Sequence, residues 1–544
     1  MNKTYRDIFK WGDKRETKLD QGTINVIKEK FNITDDNIKQ NYLLGNQEVK
    51  LEKVCQLSEK ILTEFKNILG VDNVQIDDYS RANHSYGKYF ADLLKLRMGD
   101  IPTPPDAVLF PRTDDEIEKI LTICSVNKIA VTPIGGQSSV TRGVETPKHG
   151  VSLDLTKHLN KVLEVNEINL TARVQTGIYG PVFEEYLNTF GTKFSCGHFP
   201  QSFEYSTVGG WVATKGAGQA STAYGKIEQM VLSMKVITPN GVIHTKTYPA
   251  SAQGWDINQC FMGSEGTLGV ITEVTIKIRK FRPSQTKYAS FIFKDFDLAV
   301  TAMRTTMQNG IGVPHLFRIS DPEETEIAFK TNNFDGTLSD KFLNALAYRT
   351  GNRCLMFVAV EGNHSYTSQV IKSIKKIAKK NGAFSLSAKP TKKWLDQRYS
   401  SAYLRDPLMD MGIMTDTLET AVMWNDLVPL WYAVRNYLKK RDKIVVMVHI
   451  SHVYENGANL YFTFLSPMKK GDELKDYTEF HKGIIETIHA NKGSLSHHHG
   501  VGRTLAPWME KELGKDSLEL MQAVKNHLDP NGIMNPGNTL GLMS

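Results

Sequence analysis

Apolar and polar positions fall into two rhythms between residues 106 and 280. Ile129–Ile134, Val151–Leu155, Leu170–Gly177, Val242–Lys246 and Val270–Ile278 are short apolar or alternating runs, the pattern of strands. Asp114–Asn127 and Pro181–Phe190 carry apolar residues at helical spacing, with Ile117, Ile120 and Leu121 on one face. From about Arg282 the rhythm lengthens. Strands at Ser290–Phe293 and Cys354–Glu361 alternate with amphipathic helices at Phe296–Gln308 and Thr367–Asn381. Val445–Tyr454 and Gly457–Phe464 read as a hairpin turning near Glu455-Asn456-Gly457, and Glu510–His527 as a helix. Ahead of all this, Val49–Leu69 reads as one amphipathic helix in a mostly helical lead-in, and Pro102-Thr103-Pro104-Pro105 is a stiff linker. The fold class expected is α+β. A helical N-terminal extension spans 1–100, and a ligand-binding domain of two small sub-sheets spans 101–281. A substrate or cap domain follows at 282–510, and 511–544 is a C-terminal helix and tail packing back near the active site.

Composition narrows the class. A chain of 544 residues is too long for one core, so several domains are expected. The net charge of +7 is mild at this length, and no dense basic block occurs, which argues against nucleic acid as a partner. Weak attraction to an anionic membrane surface stays open. Five scattered cysteines form neither a CxxC metal pattern nor a disulfide framework. The first residues lack a signal-peptide core, and no apolar run reaches the roughly 20 residues of a membrane span. The last residues are not a peroxisomal tripeptide. A cytoplasmic protein is expected.

The chemistry gathers in glycine-rich stretches. Cys196–Val231 holds six glycines interleaved with Ser206, Thr207, Thr214, Ser221 and Thr222. Glycine costs backbone entropy on folding, so a cluster needs a reason, and close approach to a flat ligand supplies one. Upstream, the strand Ile129–Ile134 runs into Gly135-Gly136-Gln137-Ser138-Ser139, which offers bare N–H groups and hydroxyls to a pyrophosphate. Downstream, Gly263-Ser264-Glu265-Gly266 is a third such turn before a strand. No GxGxxG follows a strand, so a nicotinamide site of the Rossmann type is not indicated.

Further candidates lie outside these loops. Arg318 and Arg405 sit among apolar neighbours, either paired to an acid such as Asp321 or Asp406 or free to clamp an anion. Tyr461 and Thr463 share a strand face. His497-His498-His499 are three consecutive histidines; if extended, the first and third face one side. His84 and Tyr86 read as a satisfied surface pair, with the lining of a pocket as the alternative.

The stretches GHFPQSFEYSTVGGWVATKGAG and MGSEGTLGVITEVTIKIR resemble the flavin-binding domain of the vanillyl-alcohol-oxidase/p-cresol-methylhydroxylase superfamily, and within it the alkyldihydroxyacetonephosphate synthase (alkylglycerone-phosphate synthase) family. The resemblance runs from about Ser80 to Pro530. It implies a two-subdomain FAD-binding fold with FAD as cofactor. The residues implied to hold it are Pro133-Ile134-Gly135-Gly136-Gln137-Ser138-Ser139, Gln201-Ser202-Phe203-Glu204-Tyr205-Ser206-Thr207, Thr214-Lys215-Gly216-Ala217 and Glu265-Gly266-Thr267-Leu268-Gly269-Val270-Ile271. Two positions depart from the family pattern: Gln137 replaces a glycine and Gln201 a carboxylate. The resemblance makes Tyr461 the proton donor and acceptor, His497, His498, His499 and Arg318 residues needed for activity, and Arg405 and His198 substrate-binding. His449 and His452 resemble metal-binding histidines of flavin D-lactate dehydrogenases, but HxGDGNxH is absent and no metal is expected. The implied reaction exchanges the acyl group of acyl-dihydroxyacetone-phosphate for a long-chain fatty alcohol, in ether-lipid synthesis and without net redox. The alternative is an FAD-linked 2-hydroxyacid or polyol-phosphate dehydrogenase. Peripheral membrane contact and a homodimer complete the expectations.

Overall fold

The computed structural model describes residues 3–11, 17–34 and 42–542. Two small sheets build one half of the molecule. In the first, Val74–Gln75, Ala107–Leu109, Gly150–Asp154 and Ala130–Ile134 lie in that order, the last three mutually parallel. In the second, Val162–Asn166, Thr171–Gln175, Val270–Lys277, Val231–Thr238 and Gly241–His244 form an antiparallel sheet. The helix Asp114–Asn127 starts where the Thr113 side chain accepts from the Glu116 N–H. It buries Ile117, Ile120, Leu121 and Cys124 in the core of the first sheet.

The other half is a seven-stranded antiparallel sheet. Its order is Phe384–Leu386, Lys287–Phe293, Cys354–Val360, Leu316–Ser320, Val445–Ile450, Gly457–Pro467 and Ile413–Met423. One face buries Phe291, Phe317, Val448 and Phe462 against the helices Phe296–Met307, His364–Lys380, Trp424–Leu438 and Glu473–Ala490. The other face lines a cavity shared with the two small sheets. Register places His449, Tyr461 and Glu419 opposite one another across three strands. Side chains alternate along a strand, so the next rows on that face are Met447, Thr463 and Thr417, then Val445, Leu465 and Thr415.

The structure corrects three expectations. Within Val49–Leu69 the helix covers only Glu59–Leu69, because Ser58 caps it and tertiary acceptors hold the preceding residues extended: Leu51 N–H bonds Asp78 and Gln56 N–H bonds Asp106. Glu510–His527 is two helices, Met509–Leu513 and Lys515–Leu528, broken at Gly514 with φ +82°. His84 and Tyr86 are buried, and His84 joins the Ser80 carbonyl to the Asp154 carboxylate at 2.8 and 2.9 Å. Among the described residues no helix is long and apolar enough to cross a membrane.

The chain's final described stretch returns to the glycine loops. Asn535 and Asn538 each donate to the Gly143 carbonyl, Asn535 also to that of Glu265, and the Thr539 N–H reaches Gly502. Lys525, fully buried, donates to Asp529 and to the Thr267 and Met534 carbonyls.

Candidate active site

A cavity of about 1030 Å³ runs between the small sheets and the polar face of the large one. Its first arm is built of glycine loops. All of Pro133–Ser139 line it, with Gln201, Ser202, Ser206, Thr207, Thr214, Gly216, Ala217, Glu265, Gly266, Gly269 and Ile271. A side chain at Gly136 would run into the Tyr205 carbonyl, and one at Gly135 into the Thr207 hydroxyl. Only glycine lets the two loops meet there. Gln137 takes φ +56°, the left-handed region that a glycine would fill without strain. The result is a cradle of backbone and hydroxyl groups with few side chains in the way, which fits a dinucleotide such as FAD.

Seven residues expected at the cofactor stand behind the wall. Phe203 stacks on Trp211 and Tyr399, and Tyr205 meets Trp11 edge-on. Glu204 accepts from the Tyr403 hydroxyl, and Lys215 covers Gly263. Thr267, Leu268 and Val270 are buried. Gln201 lines the cavity but spends its amide on the Arg398 carbonyl at 2.8 Å and on Ser401, tying the loop to the opposite half. His198 is fully buried against Trp211 and lies off the cavity surface; burial pushes its imidazole down to about 3.

The second group gathers on the large sheet. Tyr461 stacks on His449 with ring centroids 4.7 Å apart, and its ring centroid lies 5.9 Å from His498 and 5.5 Å from His499. The histidine triplet is not extended. It wraps a buried carboxylate: the N–H groups of His497, His498 and His499 and the Ser496 hydroxyl all donate to Glu419 at 2.8–3.0 Å. His498 and His499 therefore face the cavity, while His497 turns away to the Tyr454 hydroxyl. A second carboxylate grips the other end of the loop, where Val501 and Gly502 N–H groups donate to Glu265.

Electrostatics divides these groups into donors and acceptors. Burial pushes the Tyr461 phenol up to about 12, so it stays protonated. Burial, reinforced by the neighbouring His498, lowers His499 to about 4, so it is a neutral acceptor. Burial and then the charge of Arg318 lower His449 to about 4. Burial opposes charge on Glu419, but the His498 imidazole and its neighbours hold it well below the usual carboxylate range. Burial lifts Glu265 to about 7 against the pull of its N–H donors. His452, His497 and His498 have ligand atoms within 4.8 Å of one another. The two Nδ1 atoms of His497 and His498 sit 3.0 Å apart and His452 Nδ1 meets Ser451, while His452 Nε2 is buried without a partner.

Arg405 lies between the arms. Its Nη1 donates to the Lys88 carbonyl at 2.7 Å, while Nε and Nη2 are buried without a partner. The Trp11 ring stacks under the guanidinium at 4.7 Å, and its indole N–H is likewise unpartnered. Trp11 is placed by its own N–H on Asp406 and by Lys88, whose ammonium donates to the Ile8 and Lys10 carbonyls. Arg318 is held by Glu324 rather than Asp321, which belongs to Arg435. Sequence reasoning missed Glu419, Glu265 as a loop anchor, Glu324 and Trp11. Glu419 shares its strand with Asp416 and three threonines, so no local signal set it apart.

This fold and cradle define an FAD-dependent enzyme built like the FAD-linked oxidases. Residues 105–246 match the FAD binding domain and 282–539 the FAD linked oxidases, C-terminal domain. The chain is 33% identical to alkyldihydroxyacetonephosphate synthase of Dictyostelium discoideum over 88% of its own length and 80% of that protein. A solved alkyldihydroxyacetonephosphate synthase superposes with a TM-score of 0.82 at 28% identity, covering 97% of this chain and 98% of that one. p-Cresol methylhydroxylase, at 15% identity and TM-score 0.69 over 90% of this chain and 98% of its own, shares the fold. The chain belongs to the alkyldihydroxyacetonephosphate synthase family, and its cofactor is FAD.

Proposed function

We propose that this enzyme exchanges the acyl group of acyl-dihydroxyacetone-phosphate for a long-chain fatty alcohol, releasing a fatty acid and forming the ether bond of ether lipids. The observation that carries the reading is the Arg405 site. Arg405 and Trp11 line the cavity, and two guanidinium nitrogens and the indole N–H are buried beside it with nothing to donate to, a costly arrangement unless an anion completes it. A phosphate supplies the missing acceptors. Bound FAD, held by the glycine loops, supplies the electrophilic ring at which substrate carbon is activated.

The remaining roles follow from protonation state. Neutral His499 accepts a substrate proton. Tyr461, still a phenol, donates a hydrogen bond to the carboxylate as it departs as an anion. Glu419 holds the histidine loop against the sheet, and Arg318 is kept in line by Glu324. Residues 101–281 serve the cofactor and 282–510 the substrate. Peripheral contact with a lipid surface is supported by the stripe Leu338, Phe342 and Leu346, the first 86% exposed.

The test is the flavin spectrum of purified protein under anaerobic conditions. Palmitoyl-dihydroxyacetone-phosphate is expected to bleach it, and hexadecanol to restore it with release of palmitate. Indifference to that substrate with bleaching by glycerol 3-phosphate or a 2-hydroxyacid makes the protein a dehydrogenase.

A further inference from the structure

The cavity changes character along its length. From the row of His449 and Tyr461 it passes Met447 and Thr463 and reaches Val445 and Leu465. That is four residues along the strand, about 13 Å, or roughly ten carbons of an extended zigzag chain, which advances about 1.25 Å per C–C bond. Beyond that distance the wall is no longer made by the sheet alone. The helix Gln21–Phe31, which lies outside both matched family domains, lays Val26, Ile27 and Phe31 against the cavity. Ile27 and Phe31 pack with Leu408, Ile413 and Val445 in one apolar cluster. The helix starts where Asp20 accepts from the Thr23 N–H, and Gly22 lies so close to the Thr331 backbone that a side chain there would meet its carbonyl at 2.9 Å. It is seated by fit on the helix Pro322–Thr331.

We propose that the helix Gln21–Phe31 is the specificity element for tail length: Val26, Ile27 and Phe31 form the wall that contacts the part of an unbranched alkyl tail beyond about ten carbons. This rests on the reading of the cavity as the site of a fatty-alcohol exchange and adds which residues select among alcohols. The physical basis is apolar contact. Each methylene taken from water into such an arm strengthens binding about 4-fold. Only tails long enough to reach the helix gain from it. The phosphate clamp and the histidine loop are not touched by these three side chains, so short alcohols are blind to them.

The experiment measures binding of hexanol, decanol and hexadecanol to the FAD-loaded full chain by displacement of cis-parinaric acid, with turnover followed separately. Phe31→Ala and Ile27→Ala remove wall, and Val26→Phe fills the arm. Each is expected to weaken hexadecanol roughly 10-fold or more while leaving hexanol affinity and flavin content unchanged. Val26→Phe adds rather than removes packing, so it decides the matter should Phe31→Ala not fold. Equal shifts for hexanol and hexadecanol, or no shift for either in variants that keep their flavin, overturn the inference. A wild-type chain that binds no alcohol overturns both this inference and the exchange reading. One that binds hexadecanol through these residues but never transfers it overturns the exchange reading alone.

Discussion

Tyr461 and His499 face each other in opposite protonation states, and burial produces both. A phenol raised to about 12 keeps its proton, and an imidazole lowered to about 4 stays empty. The sign for pH follows directly. The base is competent wherever pH exceeds its pKa, so His499 itself is expected to impose no limb on kcat/KM above about pH 5 and to lower it only near pH 4. The phenol gives no alkaline limb below about pH 11. With Glu265→Gln removing the loop carboxylate lifted to about 7, a limb near the ordinary histidine value of about 6.5 in a pH–rate profile, with circular dichroism confirming the fold at each point, would falsify that assignment. Tyr461→Phe removes the proton but keeps the ring stacked on His449. It is expected to lower kcat/KM by about 10² to 10⁴ with flavin content intact. Glu419→Gln keeps the shape and loses the charge that four donors share. An amide cannot accept all four, so the loop loosens, and kcat/KM is expected to fall about 10²-fold; unchanged kinetics would remove Glu419 from its positioning role.

Strand register and loop contact assemble these residues into a site. Tyr461 was legible because alternation in Gly457–Phe464 puts it opposite the core residues Phe462 and Phe464, and the glycine loops were legible because nothing else explains so many glycines in order. Glu419 was not. Its strand, Ile413–Met423, pairs with Gly457–Pro467 only after a helix and another strand intervene, and no local pattern announces that order. The triplet's shape was hidden for the same reason, since the carboxylate that bends it lies 78 residues away in the chain from His497. The helical expectation for Val49–Leu69 failed where Asp78 and Asp106 offered its N–H groups better acceptors. At this scale the loop contact through Gly136 is the weak point. Gly136→Ala is expected to push the first and second glycine loops apart and yield chains with markedly less bound flavin, read as flavin absorbance per chain. Full occupancy would mean the loops have slack that the packing does not show.

Across the whole molecule, the cofactor arm draws on both small sheets, the C-terminal stretch and, through Gln201, the opposite half. A ligand bound by so many separated segments stabilises all of them together. Adding FAD to about a hundredfold excess over its dissociation constant is expected to raise stability by about 2.7 kcal/mol, seen as a higher Tm in a single transition. A Tm indifferent to FAD would mean the cradle does not hold it. The wall at the other end comes from residues near position 30, so an N-terminal helix closes one end of the cavity while the C-terminal stretch braces the loops of the other from behind.

The hydrogen bonds from Asn535, Asn538 and Thr539 to Gly143, Glu265 and Gly502 bear on when the enzyme can become active during synthesis. The ribosome delivers the chain from its N-terminus, and domains fold in that order. The glycine loops emerge hundreds of residues before the side chains that brace them. A nascent chain still lacking its last turns has its sheets and both carboxylate grips on the histidine loop, but an unbraced cradle. Full flavin capture is expected only once this region is translated, and a chain cut short by a late stop codon is expected to purify with less bound flavin.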